Sequence, residues 1–471
     1  MRFVAFLFLA SLHFAAPTDA TAQNRRTTPQ TALQRQFGPA AERLISAATA
    51  DSAAWNKLAE LTDTYGHRFS GSPALEKAID WVMERMRADG LENVRGEPVM
   101  VPRWVRGHES AELLVPRYGR LPMLGLGGSI GTPEGGITAE VLVVTSFDDL
   151  QARAAEARGK FVLFDVPFTT YGATVRYRTT GMNAAARVGA VGVLLRSVGP
   201  TGMRTPHTGT MAPYDSTVTP IPAAAITMED AAMLHRMQRR GQRIVVRLEM
   251  DAHFLPDAPS RNVIGEIVGR EKPEEVVVIG GHIDSWDVGT GAMDDAGGVV
   301  VAWEAVRLMQ KLGLRPRRTV RVVGWTNEEN GMRGAQAYRD AHRAELDKHV
   351  LAIESDGGVF KPVGFGFTGS DSARAILRQI VGLLRPIGAD SLLPQGGGAD
   401  IGPIMALGVP GMAHVVDGTK YFWYHHTEAD NVDKLDPREV AQNVAAMAVM
   451  AYIVAELPEA LPRAAPGPAP R

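Results

Sequence analysis

Val276-Val277-Val278-Ile279-Gly280-Gly281-His282-Ile283-Asp284-Ser285-Trp286 and, soon after, Met293-Asp294-Asp295-Ala296-Gly297-Gly298 decide how this chain is read. An apolar run passes abruptly into polar residues of metal-ligand type. The same happens again where Val320–Trp325 gives way to Thr326-Asn327-Glu328-Glu329. A buried strand that ends in such side chains is where an open α/β sheet puts its active site. We read His282, Asp294, Glu328 and Glu329 as parts of a two-metal hydrolytic site whose remaining ligands come from later strand ends.

Two further strand ends supply them. Val350–Ile353 leads to Glu354-Ser355-Asp356-Gly357, and Val409–Val416 leads to Tyr424-His425-His426-Thr427. Taken singly, each motif has an ordinary alternative: a structural His–Asp pair, a helix N-terminal charge, a solvated acid pair, a packed histidine. Four coincidences on one sheet edge carry the reading. In His282-Ile283-Asp284 the alternation of an extended segment puts both polar side chains on one side. A carboxylate there can accept the second imidazole N–H and fix the tautomer for metal binding. An aspartate with both oxygens free can bridge two ions. Glu328 and Glu329 diverge as neighbours in a strand do, so one can bind metal while the other handles a water proton. Of the two adjacent histidines, His426 is favoured as the ligand.

Strands alternating with helices imply a mainly parallel, mixed sheet flanked by helices. Helices are expected over Ala40–Ala48, Ala53–Thr64, Ala74–Ala88, Asp294–Leu312, Gly331–Leu346, Ser372–Leu384, Ile401–Leu407 and Pro437–Leu457. Ser72 and Pro73 have the chemistry of an N-cap and first helical position. Between Pro102 and Asp257 the character changes. Short β-type runs (Glu112–Val115, Ala139–Val144, Lys160–Val166, Ala190–Leu195, Ile244–Met250) sit among Gly and Pro. This block, 104–257, reads as an inserted β-rich domain that splits the main one into 40–103 and 258–457. Residues 23–39 read as a flexible leader or propeptide, and the proline-rich 458–471 as a disordered tail.

Residues 1–22 carry one Arg, an apolar run from Phe3 to Ala16 and an Ala20-Thr21-Ala22 cleavage pattern. They read as a secretory signal peptide, so the protein is expected to be exported, periplasmic or secreted. Nothing later approaches a membrane span of about 20 apolar residues. The net charge is −2, without a basic stripe, and excludes a nucleic-acid partner. There is no cysteine, so any metal is held by His, Asp and Glu, a set that suits zinc, manganese or another hard-to-borderline divalent ion. Two motifs are decoys. Gly127-Gly128-Ser129-Ile130-Gly131 matches a serine nucleophile elbow but lies in a glycine-rich loop. Gly364-Phe365-Gly366-Phe367-Thr368-Gly369 matches a dinucleotide fingerprint but reads as loop glycines.

The motifs H-x-D, M-D-D-x-G-G, N-E-E-x-G, E-S-D-G and Y-H-H-T, in this order, resemble those of the co-catalytic di-zinc exopeptidases, a family of aminopeptidases and carboxypeptidases. The resemblance spans roughly Ala40 to Leu457 and makes the inserted block a protease-associated domain. It implies one zinc on His282, Asp294 and Asp356 and a second on Asp294, Glu329 and His426. It implies Glu328 as general base, Asp284 as the group orienting a ligand, and a cis peptide at Asp294–Asp295. Tyr424 and His425 are candidates for donors to the oxyanion. The loop Gly66–Pro73 also resembles a family loop near the site. The implied activity is hydrolysis of dipeptides or short peptides with free termini. An aminopeptidase on longer peptides is the close rival, a non-catalytic peptide-binding protein on the same scaffold the remote one. Homodimerisation is a family expectation.

Overall fold

The structure is a computed structural model and describes residues 30–464. The expected signal peptide lies outside those residues. Two sheets of eight strands organise the rest. The main sheet holds β1 (Glu92–Val105), β2 (His253–Ile267), β3 (Lys272–His282), β4 (Arg318–Trp325), β5 (His349–Glu354), β6 (Pro362–Thr368), β7 (Ser391–Leu393) and β8 (Gly411–Val416). Their spatial order is β1-β2-β4-β3-β5-β8-β6-β7. The centre, β4-β3-β5-β8, is parallel. β2 joins it antiparallel on one side and β6 on the other.

The apolar run of β3 is buried on both faces, as a central parallel strand requires. Val277 and Ile279 face a large core with helices Gly297–Lys311 and Pro437–Glu456. Val276 and Val278 face a smaller one with Trp325 and Tyr338. Both helices are buried nearly all round, so they are interior elements rather than amphipathic covers. The expected Asp294–Leu312 helix starts at Gly297, after an irregular turn over Ala292–Ala296. Gly298 is required there: a Cβ would stand 1.9 Å from the Ser355 carbonyl oxygen. The glycine pair therefore lets the helix start press against the end of β5, which brings Asp294 to the sheet edge.

Neither β1 nor β2 is among the expected strands. They pair antiparallel from Glu92↔Glu266 to Val105↔His253, forming a ribbon that runs out of the sheet. Pro98, Pro102, Pro256 and Pro259 hide it in the sequence. β1 is an edge strand, and β2 pairs with β4 only over Val263–Ile267, so these prolines leave no central ladder bond unmade. The ribbon carries the inserted domain, whose sheet runs from Glu109 to Met250. All five expected runs overlap its strands. The domain is not purely β, however. Helices Arg176–Arg187 and Met228–Arg239 pack on its sheet. The first buries Gly181, Met182 and Ala185, small or flexible residues that give a faint apolar stripe.

Three further expectations are corrected. The leader was to be flexible to residue 39, yet a helix runs Ala32–Thr49 with Phe37 buried, closed by a Thr31–Gln34 capping box. The expected disordered tail spans 458–471; its last part, 465–471, lies outside the described residues, but Leu461 is buried and the Arg463 guanidinium donates to the carbonyls of Asp347 (2.9 Å) and His349 (2.7 Å). Gly364–Gly369 was read as loop, but Pro362–Thr368 is β6, with Phe365 and Phe367 in the core. Its glycines lie close against the Ser391 and Gln395 carbonyls. Ser129 is buried, accepts from the Ala223 amide (2.9 Å) and donates to the Ile130 carbonyl (2.9 Å), so it is structural. Among the described residues no helix is long and apolar enough to cross a membrane.

Candidate metal centre

The carboxyl edge of the main sheet gathers the predicted ligands. His282 ends β3, Glu328 and Glu329 follow β4, Asp356 follows β5, and His426 lies in the loop after β8. His282 Nε2 is 3.2 Å from Asp294 Oδ1 and 3.4 Å from Asp356 Oδ1. His426 Nε2 is 3.1 Å from Glu329 Oε2 and 3.4 Å from Asp294 Oδ2. The two sets meet at Asp294, with one oxygen turned to each. The Asp294–Asp295 peptide is cis.

Electrostatics sets these groups against one another. Burial, then the Asp294 charge, pushes Glu329 well above the carboxylate range. Asp356 is raised by burial, against the pull of His282. Burial works to lower His282, but the Asp294 and Asp356 carboxylates overcome it and raise it well. Asp294 Oδ2, Glu329 Oε1 and Asp356 Oδ1 are buried without a hydrogen-bond partner. Converging buried acids with unpaired oxygens are costly unless a cation answers them. The residues present thus fit divalent metal. A hard-to-borderline His/Asp/Glu donor set without thiolate fits zinc.

Among the described residues, donor atoms approach within 4.8 Å in three groups: His282–Asp294–Glu329, His282–Asp295–Asp356 and Asp294–His425–His426. Asp295 and His425 were not predicted as ligands, and their contacts show why they enter. The Asp295 carboxylate accepts the His282 amide (3.1 Å) and the Gly298 amide (3.1 Å), which ties strand end to helix start. His425 stacks on His426, centroids 3.5 Å apart, with Nε2 3.7 Å from Asp294 Oδ2. Burial keeps its pKa well below the histidine range, so the ring is neutral.

Asp284 does not sit as expected. His282 Nδ1 is 2.9 Å from the Asp284 backbone carbonyl and 3.8 Å from its carboxylate. The carboxylate instead accepts the amides of Glu328 (3.1 Å) and Glu329 (3.3 Å) and the Ser70 hydroxyl (3.3 Å). The carbonyl fixes the His282 tautomer, and the carboxylate sets the backbone of the two glutamates. Tyr421 and Tyr424 are both half-buried against the large core. Tyr421 is the tyrosine that senses the site: burial, then the charges of Asp294, Asp356 and Glu329, push its hydroxyl well up.

Two groups had no signal in the sequence. Asp430 accepts the amides of Ala292 (3.1 Å), Met293 (2.8 Å) and Asp294 (3.1 Å), holding the turn that presents the shared aspartate. Arg68 is fully buried and donates to the carbonyls of Ile283 (2.9 Å), Gly66 (3.0 Å), Thr290 (2.6 Å) and Gly291 (2.9 Å). It is a fixed positive charge beneath the acids, and it gives the Gly66–Pro73 loop its place.

Relatives carry the same architecture. The profile of peptidase family M28 matches residues 262–451. Carboxypeptidase Q of Bos taurus is 46% identical over 98% of this chain and 100% of its own. The chain belongs to peptidase family M28. An M28 peptidase precursor from Shewanella amazonensis superposes with TM-score 0.89 at 37% identity, over 92% of this chain and 100% of that one. A zinc aminopeptidase from Bacillus subtilis shares the fold, with TM-score 0.63 at 22% identity over 85% and 94%.

In this M28 peptidase the inserted domain touches the ligand loop directly. The Thr208 amide donates to the His426 carbonyl (2.9 Å), and His426 sits in the left-handed region at φ 61°. Arg106 of the ribbon side pairs with Asp287 (2.5 Å) behind Trp286. Arg68→Met keeps the volume but strips four carbonyls of their donor. We expect it to lower folding stability by about 3–5 kcal/mol, the cost of breaking a buried charged network, read as the urea midpoint of the metal-free protein.

Proposed function

We propose that this M28 enzyme, a zinc-dependent exopeptidase, cleaves dipeptides or short peptides with free ends, using two zinc ions that share Asp294. The observation that carries the reading is Asp294 itself, with Oδ1 toward His282 and Oδ2 toward His426. When bound, such a metal pair lowers the pKa of a shared water to about 7 and polarises the scissile carbonyl.

The chain's own residues do the rest. Glu328 stands outside the ligand groups and is half-buried, so it is free to move a proton. Burial, with the charges of Asp356, Asp284 and Asp294 adding and His282 opposing, pushes it up to about 8. The Glu328 carboxylate takes the water proton and hands it to the leaving amine. Asp284 fixes the Glu328 amide, and so the direction of that carboxylate. The neutral His425 ring, beside the second ligand set, donates to the tetrahedral oxyanion. Tyr424, half-buried two residues before His426, is the second candidate donor.

The relatives named carboxypeptidase Q support carboxypeptidase polarity. The inserted block acts as a protease-associated domain that walls the cleft. The leader pattern read in residues 1–22 supports a site of action outside the cytoplasm. A panel of free dipeptides and N-acylated peptides, run with zinc and with chelator, tests the reading. Free dipeptides are expected to be cleaved and chelator to stop it. Cleavage of N-acylated peptides excludes an aminopeptidase. Turnover that survives chelator but not a serine-reactive inhibitor overturns the proposal.

A further inference from the structure

A pocket of about 280 Å³ opens beside Asp356, and the steps above make no use of it. Its polar groups are Glu354, Asp356 and His414, and its walls include Gly397, Gly398 and Ala413. Glu354 is 1% exposed. Its Oε2 accepts the Ile401 amide (2.8 Å), while Oε1 has no partner. His414 is 4% exposed and stacked on Phe365, centroids 5.2 Å apart. Its Nδ1 lies 3.2 Å from the Ser355 hydroxyl, and Nε2 has no partner. Asp400, in the same turn as Ile401, is 1% exposed with both oxygens unpartnered. Gly398 makes room for this arrangement: a Cβ there would stand 2.1 Å from the Glu354 carboxyl carbon.

A bland account is two buried acids that share a proton. A shared proton serves two of the three carboxylate oxygens that have no partner, but it leaves the third and His414 Nε2 unpaired, at a cost of about 1–3 kcal/mol each. What the pocket lacks is therefore a donor-rich, positively charged group. Its glycine and alanine walls leave space for an alkyl stem ahead of that charge, as a lysine or arginine side chain provides. A bare ammonium would not fill the volume.

Resting on the peptidase reading above, we infer that this pocket is a subsite for a basic side chain of the substrate, next to the scissile bond. Glu354 receives the cation, Asp400 supplies a second negative charge behind it, and His414 accepts a hydrogen bond.

The test uses the zinc-loaded full chain. Lysyl-alanine and alanyl-lysine are compared with their norleucine isosteres, and pentylammonium binding is compared with pentanol binding by calorimetry. One lysine position is expected to exceed its isostere in kcat/KM by about tenfold or more, a site with a built-in polar partner discriminating strongly. That ratio is expected to collapse toward one in Glu354→Gln, whose amide still accepts from Ile401, and to fall in Asp400→Asn. Pentylammonium is expected to bind and pentanol not. Equal lysine and norleucine rates at both positions, or a ratio that persists in both variants, overturns the subsite. Pentylammonium binding without hydrolysis of any dipeptide keeps the subsite and overturns the peptidase reading instead.

Discussion

We expect Asp294→Ala to lose both of the proposed metals and all measurable turnover. Each of its oxygens faces a different ligand set, 3.2 Å from His282 Nε2 on one side and 3.4 Å from His426 Nε2 on the other. Removing the carboxylate leaves each set one ligand short and takes away the negative charge between them. The expected activity loss exceeds the roughly 10²–10⁴-fold that a single acid–base group supplies. Elemental analysis after dialysis should find the zinc content of the variant falling from two per chain toward none. The fold should persist, because Asp430 holds this turn through the amides of Ala292, Met293 and Asp294 rather than through the Asp294 side chain. Circular dichroism checks that. A variant that keeps two zinc ions sinks the shared-ligand assignment.

The candidate ligands are legible in the sequence because each announces itself locally. An apolar run that ends in His282, or in Glu328-Glu329, or just before Asp356, can be read without knowing the partner. What holds those ligands was not legible, for a physical reason. Arg68 and Asp430 act on backbone carbonyls and amides, and every residue has those. Nothing in Gly66-His67-Arg68 says that four carbonyls from Gly66 to Gly291 will converge on one guanidinium. Asp284 shows the same limit from the other side. Its proximity to His282 was read correctly, but the alternation rule speaks of side chains, and it was the main-chain carbonyl that reached Nδ1. The β1–β2 ribbon was missed because its four prolines argue against a central strand, and it is not one.

The inserted domain changes meaning in the same way. Read by composition it brings no ligand, only a wall. In the fold, its Thr208 amide fastens the carbonyl of His426, a ligand held at positive φ where a non-glycine residue rarely sits. The second ligand set is therefore completed by the main sheet but steadied from the insert. The Tyr171 ring, 5.3 Å from the His425 ring, adds a second contact between that block and the candidate centre.

Glu328→Gln separates chemistry from metal binding. Glu328 and Glu329 are neighbours, yet only Glu329 has an oxygen within 3.1 Å of His426, and only Glu329 joins a donor group. The Asp284 carboxylate pins both amides, so the divergence of the two side chains is imposed by the backbone and survives an isosteric change at either. Glutamine keeps the shape of Glu328 but cannot accept a proton. Turnover should fall by about 10²–10⁴-fold, while zinc content and KM stay near the parent's, because the group acts in the transition state and not in binding. Single-turnover kinetics with metal analysis on the same sample reads both. Retained activity would remove Glu328 as the base. Loss of zinc would show that the two neighbouring carboxylates do not divide their work as the geometry requires. Exchanging the roles by Glu329→Gln is the matching control: metal leaves the His426 set first, and activity follows it.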